Sequence, residues 1–229
     1  MSRGVFISFE GGEGSGKSTQ ILRLAESLKS SGFQVVVCRE PGGTPLGEAV
    51  RDLLLKIRKD PPAALTELLL LESSRSHLVQ QVILPALKEG RIVLCDRYAD
   101  ASMAYQWGGR GLASDLVRNL NKTATGGLTP DRTVLLDMDP SEGRRRQGRA
   151  GMDTDRMESE NLEFHSKVRC AYLSLAKEEP GRFIVVDAAQ GIDQLAEEIL
   201  RQVQPYCLER LTPSGKTFGK TEGGIHHAP

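Results

Sequence analysis

The chain has 229 residues, enough for one α/β domain with a substantial core and too few for two full ones. Its 30 basic and 30 acidic residues cancel, so no global field draws it toward nucleic acid or an acidic membrane, and any basic site must be local. The four cysteines (Cys38, Cys95, Cys170, Cys207) form no C-x-x-C pair, which gives no sign of a zinc or thioredoxin-type motif.

Met1-Ser2-Arg3 leads directly into Val5 to Glu10, a short apolar run that predicts a buried strand. With no apolar run near the length of a membrane span, the reading is a reduced, cytoplasmic protein. A glycine-rich turn follows, then a helix from Ser18 to about Ser30 with Ile21, Leu24, Ala25 and Leu28 at helical spacing, ended near Gly32. Gln34 to Arg39 predicts a second strand and Arg91 to Asp96 a third. Helices are expected between them over Pro45 to Ile57 and Leu65 to Lys88, with Pro85 limiting or kinking the last turn of the second. Arg132 to Asp137 and Phe183 to Asp187 are the remaining strands, and Ile192 to Val203 is the closing helix.

Continuous apolar strands alternating with helices indicate a parallel sheet covered on both faces. Residues 140 to 158 carry many arginines and little apolar content and are expected to form a mobile helix-loop flap. The polar, glycine-rich stretch 210 to 229 is expected to be a poorly ordered tail behind a single domain spanning 1 to 209.

Gly11-Gly12-Glu13-Gly14-Ser15-Gly16-Lys17-Ser18 matches G-x-x-x-x-G-K-[ST] in the strand–turn–helix context that the motif needs. Backbone N–H groups there converge on phosphate oxygens, Lys17 reaches the terminal phosphates and the Ser18 hydroxyl takes Mg²⁺. The chain is therefore expected to bind a nucleoside triphosphate. Glu13 would repel the triphosphate if it pointed inward. It is expected to point away, either to a hydroxyl on a second substrate or to solvent.

An acceptor that is itself a phosphate needs cations more than a general base. Arg97, at the carboxyl end of the third strand, is a candidate for that work, and so are the flap arginines Arg144, Arg145, Arg146, Arg149 and Arg156, these five weighed against a solvated basic helix face. Asp96 is a candidate direct or outer-shell partner of Mg²⁺.

Glu10 to Gln20, Arg39-Glu40-Pro41-Gly42-Gly43-Thr44, Asp96-Arg97-Tyr98 and Ala104-Tyr105-Gln106 with Gly109-Arg110-Gly111 together resemble bacterial thymidylate kinase, in order and spacing, from about Val5 to Val203. The resemblance implies the P-loop kinase fold, a five-stranded parallel sheet of order 2-3-1-4-5 with helices on both faces and a lid, and transfer of the ATP γ-phosphoryl to dTMP. It further implies a homodimer.

By that resemblance, ATP is held by Gly11 to Ser18 with Thr19, Arg145 and Arg149, the last being the candidate lid arginine. Glu13 matches the residue that contacts the sugar 3′-hydroxyl. Arg51 and Arg97 match arginines around the acceptor phosphate, Arg75 matches the arginine on the thymine carbonyl, and Ser102, Tyr105 and Gln106 match the wall beside base and sugar. Three positions depart from the family. Leu71 and Glu72 stand where a stacking ring is usual, Ala101 where serine is common, and Trp107 where glycine is typical; Trp107 either supplies the missing ring or caps a loop. Alternatives to a dTMP kinase are a kinase of another monophosphate such as dUMP and a non-catalytic ATP-binding module. A GTPase is disfavoured because Asn121-Lys122-Thr123-Ala124 lacks the aspartate of N-K-x-D.

Overall fold

The computed structural model describes residues 4–57, 59–150 and 155–211, with Arg149 and Ala150 described by backbone alone. The expected tail beyond 211 and the flap residues 151–154 lie outside the described residues. Strand β1 (Val5–Gly11) sits at the centre of a sheet of order β2-β3-β1-β4-β5, with β2 (Val35–Arg39), β3 (Ile92–Asp96), β4 (Arg132–Asp137) and β5 (Phe183–Asp187). Every pairing is parallel.

The five strands are those read from the apolar runs, within one residue at their ends. β1 is buried along its whole length, which is why it reads as continuously apolar. Ile7 and Phe9 face a core that α1 (Lys17–Ser30) and α9 (Ile192–Leu211) close through Ile21, Leu24, Leu195 and Ile199. Phe6 faces the opposite layer with Val93, Leu78 and Ile83. Between them Ser8, also buried, bonds Thr133 across the strands at 2.9 Å.

Helix α2 (Pro45–Leu55) begins at Thr44, whose hydroxyl accepts from the Gly47 N–H at 3.0 Å, with Pro45 in the first turn where no N–H is needed. The long helix expected over Leu65 to Lys88 is continuous but not uniform. It runs as α3 (Ala64–Leu78), a π-helical stretch (Val79–Ile83) and α4 (Leu84–Lys88). Pro85 lacks an N–H and its ring crowds the carbonyl four residues back, and the wider turn immediately before it absorbs that conflict. A second π-helical stretch, Met103–Gly109, extends the short α5 (Ala99–Ser102).

Helices α6 (Ser114–Thr125) and α8 (Leu162–Glu178) were not among the elements read from the sequence. They pack with Leu68, Met103 and Tyr105 in a third core cluster through Val117, Val168, Tyr172 and Leu175. The flap contributes helix α7 (Pro140–Ala150). Helix α9 runs to Leu211, beyond the expected end at Val203, with Pro205 inside it. Its continuation buries Cys207 and packs Tyr206 and Leu211 on the core, which outweighs the hydrogen bond lost at the proline.

Candidate active site

The carboxyl ends of β1, β2 and β3 open into one cavity of about 540 Å³. Its wall includes Glu13, Gly14 and Gly16 to Thr19 of the phosphate loop, Asp96 and Arg97 after β3, and Arg51, Leu71, Arg75, Ser102, Tyr105 and Gln106 from the helices. Residues 13 to 106, read from separate motifs, thus share a single space. Such a position, outside the carboxyl ends of parallel strands, is where open α/β sheets gather ligands.

At the phosphate loop, Gly16 takes a left-handed backbone (φ 89°) that turns the chain into α1. Gly11, Gly12 and Ser15 shape the loop from behind without lining the large cavity. The Ser15 hydroxyl donates to the Gly12 carbonyl at 2.9 Å. Lys17 Nζ donates to the carbonyls of Gly11 (3.2 Å) and Gly12 (2.8 Å), which holds the ammonium against the loop. Burial and the nearby Arg97 pull this ammonium below the usual lysine range, opposed by Glu13, Asp96 and Glu10. Ser18 Oγ donates to Asp96 Oδ2 at 2.9 Å, so a hydroxyl and a carboxylate stand together beside Lys17.

Glu13 does point away from the phosphate cradle. Its Oε1 accepts from Arg97 Nη2 at 2.5 Å and from the Tyr105 hydroxyl at 2.8 Å. Burial alone would raise its carboxyl, but the charges of Arg97 and Lys17 overcome this and hold it down at about 2. Arg97 has a left-handed backbone (φ 68°), uncommon outside glycine, and this geometry is fixed on both sides. The Arg97 N–H donates to the Phe9 carbonyl, and the next N–H, of Tyr98, donates to the buried Glu10 Oε1 at 2.8 Å. Arg97 Nη1 donates to Tyr172 Oη at 3.3 Å, and that hydroxyl donates in turn to Glu10 Oε2.

Deeper in the cavity, Arg75 is 1 % exposed and spans five acceptors. Its Nε donates to Glu40 (2.7 Å), Nη1 to Glu72, Ser102 and Asn121, and Nη2 to the Tyr98 carbonyl. One Nη2 hydrogen has no acceptor among these five. Burial pushes the Glu40 carboxyl up to about 7 even beside this guanidinium. Glu72, at one of the positions where a stacking ring is usual, is therefore an ion-pair partner of Arg75. Leu71 lines the cavity, while Trp107 packs against the cluster containing Leu68, Met103 and Phe164 and does not line it. Trp107 lies within the π-helical stretch Met103–Gly109, so it neither caps a loop nor supplies a ring to the cavity, whereas Tyr105 is in the cavity wall.

The flap arginines divide by face. Arg145 pairs with Glu142 at 2.6 Å, stays half exposed and lies outside the cavity wall. One residue on, about 100° around the helix, Arg146 lines the cavity and donates to the Ala188 and Ala189 carbonyls. The Arg149 side chain lies outside the described residues. Arg156 is buried in the wall, donating to the Leu54 carbonyl and to Glu67 Oε2. Gly143 of α7 packs directly on the Glu13–Gly14 backbone, so near that a Cβ on Gly14 would overlap the Gly143 carbonyl and a Cβ on Gly143 the Glu13 carbonyl. The lack of a side chain at Gly14 thus lets the flap helix touch the loop.

Sequence reading missed Glu10, Glu40, Glu67, Arg110, Asn121 and Tyr172 as site-building residues. Glu10 and Glu40 lie within the quoted motifs, and charged residues in apolar strand or turn contexts were a usable signal; Glu67, Asn121 and Tyr172 carry none, being ordinary helical residues until the helices pack.

The chain matches the family model of thymidylate kinase over residues 9–199. Among similar proteins, the thymidylate kinase of Deinococcus radiodurans is 51 % identical over 202 residues, covering 87 % of this chain and 96 % of that one. Those of Pelobacter propionicus and Magnetococcus marinus are 49 % and 46 % identical, each covering at least 87 % of this chain and 94 % of their own. With the sheet order, the phosphate loop and the cavity all in agreement, the chain belongs to the thymidylate kinase family.

Proposed function

We propose that this protein transfers the γ-phosphoryl group of ATP to dTMP, giving dTDP. The observation that carries the reading is the Glu13–Arg97–Tyr105 cluster, a fixed anion and cation beside the phosphate loop and inside the same cavity. A protein that only held ATP would have no use for a second polar subsite there. The family membership and the names of its relatives point to the same acceptor.

In this reading the acceptor phosphate is already ionised and needs no general base. Arg51 and Arg97 hold it and offset its repulsion with the donor, while Lys17 and the loop N–H groups of Gly11 to Thr19 hold the terminal phosphates of ATP. Arg51 lines the cavity and its Nη1 donates to the Pro41 carbonyl at 3.1 Å, which supports this role. Glu13, ionised, accepts from a sugar hydroxyl. Arg75 donates its remaining N–H to a base carbonyl, with Ser102, Tyr105, Gln106 and Leu71 around base and sugar, and Tyr105 crowding a 2′-hydroxyl. Arg149 is the lid arginine of this reading.

Ser18 and Asp96 would hold Mg²⁺. Two hard oxygen donors 2.9 Å apart suit an ion that takes its other ligands from phosphates and water, and no cluster of three His, Cys, Asp or Glu is found among the described residues. Bound there, the ion would supply charge neutralisation at the phosphates.

A homodimer is part of the proposal. Leu65 and Leu69, one turn apart on α3, and Leu46 and Leu53 on the adjoining α2 are 44–49 % exposed, an apolar surface suited to a second copy. The four free cysteines suit a reducing, cytoplasmic setting, and small nucleotides are the partners that the neutral overall charge leaves in view. An ADP-release assay across dTMP, dUMP, dCMP and dAMP tests the function. The highest kcat/KM is expected on dTMP, and a preference for another acceptor overturns the assignment.

A further inference from the structure

Gln106 lines the cavity and is 1 % exposed, and its two amide ends are treated differently. Nε2 donates to Glu67 Oε1 at 2.8 Å, whereas Oε1 is buried without any hydrogen-bond partner. A buried acceptor left empty is costly, and in a ligand cavity it identifies the kind of group that completes it, a hydrogen-bond donor.

Glu67 explains why the amide is oriented this way. The residue is 1 % exposed and sits between two guanidiniums. Arg156 Nη2 reaches its Oε2 at 2.5 Å, and Arg110 reaches Oε2 through Nη2 at 3.3 Å and Oε1 through Nε at 3.4 Å. Each arginine is itself anchored, Arg156 on the Leu54 carbonyl and Arg110 on Glu160 and over the Phe164 ring. With donors from both guanidiniums on its two oxygens, the carboxylate of Glu67 acts as an acceptor, so it takes the NH₂ end of Gln106 and excludes the flipped amide.

We propose that Glu67 is a positioning residue that locks the Gln106 amide with its carbonyl oxygen toward the acceptor base, so that the cavity selects a pyrimidine with an imide edge over cytosine. This rests on the dTMP reading and deepens it. Ser102 and Gln106 lie four residues apart on the same helical run, and Ser102 Oγ accepts from Arg75 Nη1 at 2.9 Å, so the guanidinium that keeps a free donor and the amide that keeps a free acceptor share one wall of the cavity. Thymine and uracil offer a carbonyl acceptor next to an N–H donor, which complements that pair. Cytosine offers an amino donor next to a bare ring nitrogen, which opposes both. A site whose buried polar groups are left unpaired by the wrong base rejects it strongly. The device reads thymine and uracil alike.

The test is the ratio of kcat/KM on dTMP to that on dCMP. For the wild-type enzyme the ratio is expected to be high. For Glu67→Gln, which retains shape but permits either amide orientation, it should fall by about tenfold or more, chiefly through KM for dTMP. Gln106→Leu should lower it similarly, and the double variant Glu67→Gln/Gln106→Leu should be no worse than Gln106→Leu alone. An unchanged ratio in Glu67→Gln, a proportional loss on both substrates, or losses that multiply in the double variant would each overturn the proposal. If Glu67→Gln fails to fold, Gln106→Leu decides, an unchanged ratio overturning it. A wild-type enzyme that does not phosphorylate dTMP sinks the functional reading instead, which separates the two failures.

Discussion

The two ends of the cavity are built by opposite means. At the phosphate end, Gly11 to Ser18 are consecutive, and most of what they offer a ligand is backbone N–H groups, one ammonium and one hydroxyl. At the base end, Arg75 gathers Glu40, Glu72, Tyr98, Ser102 and Asn121 from five separate places in the chain. The first is a local conformation that any strand–turn–helix of this sequence would approach. The second exists only because the helices pack. One consequence is that the base end is bound up with stability, whereas changes at the phosphate end should act mainly on turnover.

The largest effect is expected at the base end. Arg75→Ala leaves Glu40 and Glu72 facing each other in a buried space, and breaking a buried pair in this way costs roughly 3–5 kcal/mol. A denaturant titration checks it. A loss below about 1 kcal/mol would show that the network is not structural and would erase the contrast between the two ends.

Arg97→Ala comes next. Loss of its charge beside the transferring group should lower kcat on the order of a hundredfold or more. The far-UV circular dichroism should be unchanged, because Arg97 holds Glu13 and the loop more than it holds the core. Steady-state kinetics at saturating ATP and dTMP measure the effect, and an unaltered kcat would remove Arg97 from the site.

The smallest effect probes the join between the two ends, where Glu10 braces the backbone at Arg97 and Tyr98. Burial, reinforced by Asp100, pushes its carboxyl up to about 8. The folded protein therefore retains a proton that the unfolded chain releases near 4.5, so this contribution to stability is complete below about pH 4.5 and is lost as pH rises through 8. Glu40, raised to about 7, acts in the same direction. Glu10→Gln should flatten the fall in Tm between pH 5 and 9, while the Glu40 part persists. Parallel wild-type and variant curves would show that Glu10 does not titrate in that window.

The legibility of each region follows the same division. All five strands could be read from the sequence because a strand buried on both faces leaves an unbroken apolar run. Glu13 could be read as facing away from the triphosphate, since like charges repel, whatever the rest of the fold. What received it could not be derived from the loop, because Arg97 and Tyr105 reach it from 84 and 92 residues away. Helices α6 and α8 escaped notice although they build the wall behind Tyr105. The π-helical turns also have no simple periodicity of their own, and one of them carries Tyr105 and Gln106 into the cavity. In the flap, arginine content signalled a phosphate-facing element, but the helical phase that turns Arg146 inward and Arg145 outward was set by packing of Gly143 on the loop.

By itself, then, the sequence determined the sheet, the phosphate cradle and the family, because each rests on short-range patterns of burial, glycine placement and charge. Only the tertiary structure decided how the acceptor pocket is lined. There Glu72 and Leu71 occupy positions where an aromatic residue is usual, Trp107 turns to the core, and Glu67 sets the face that Gln106 presents. Those outcomes depend on which distant side chains satisfy a buried polar group, a choice made only when the helices meet.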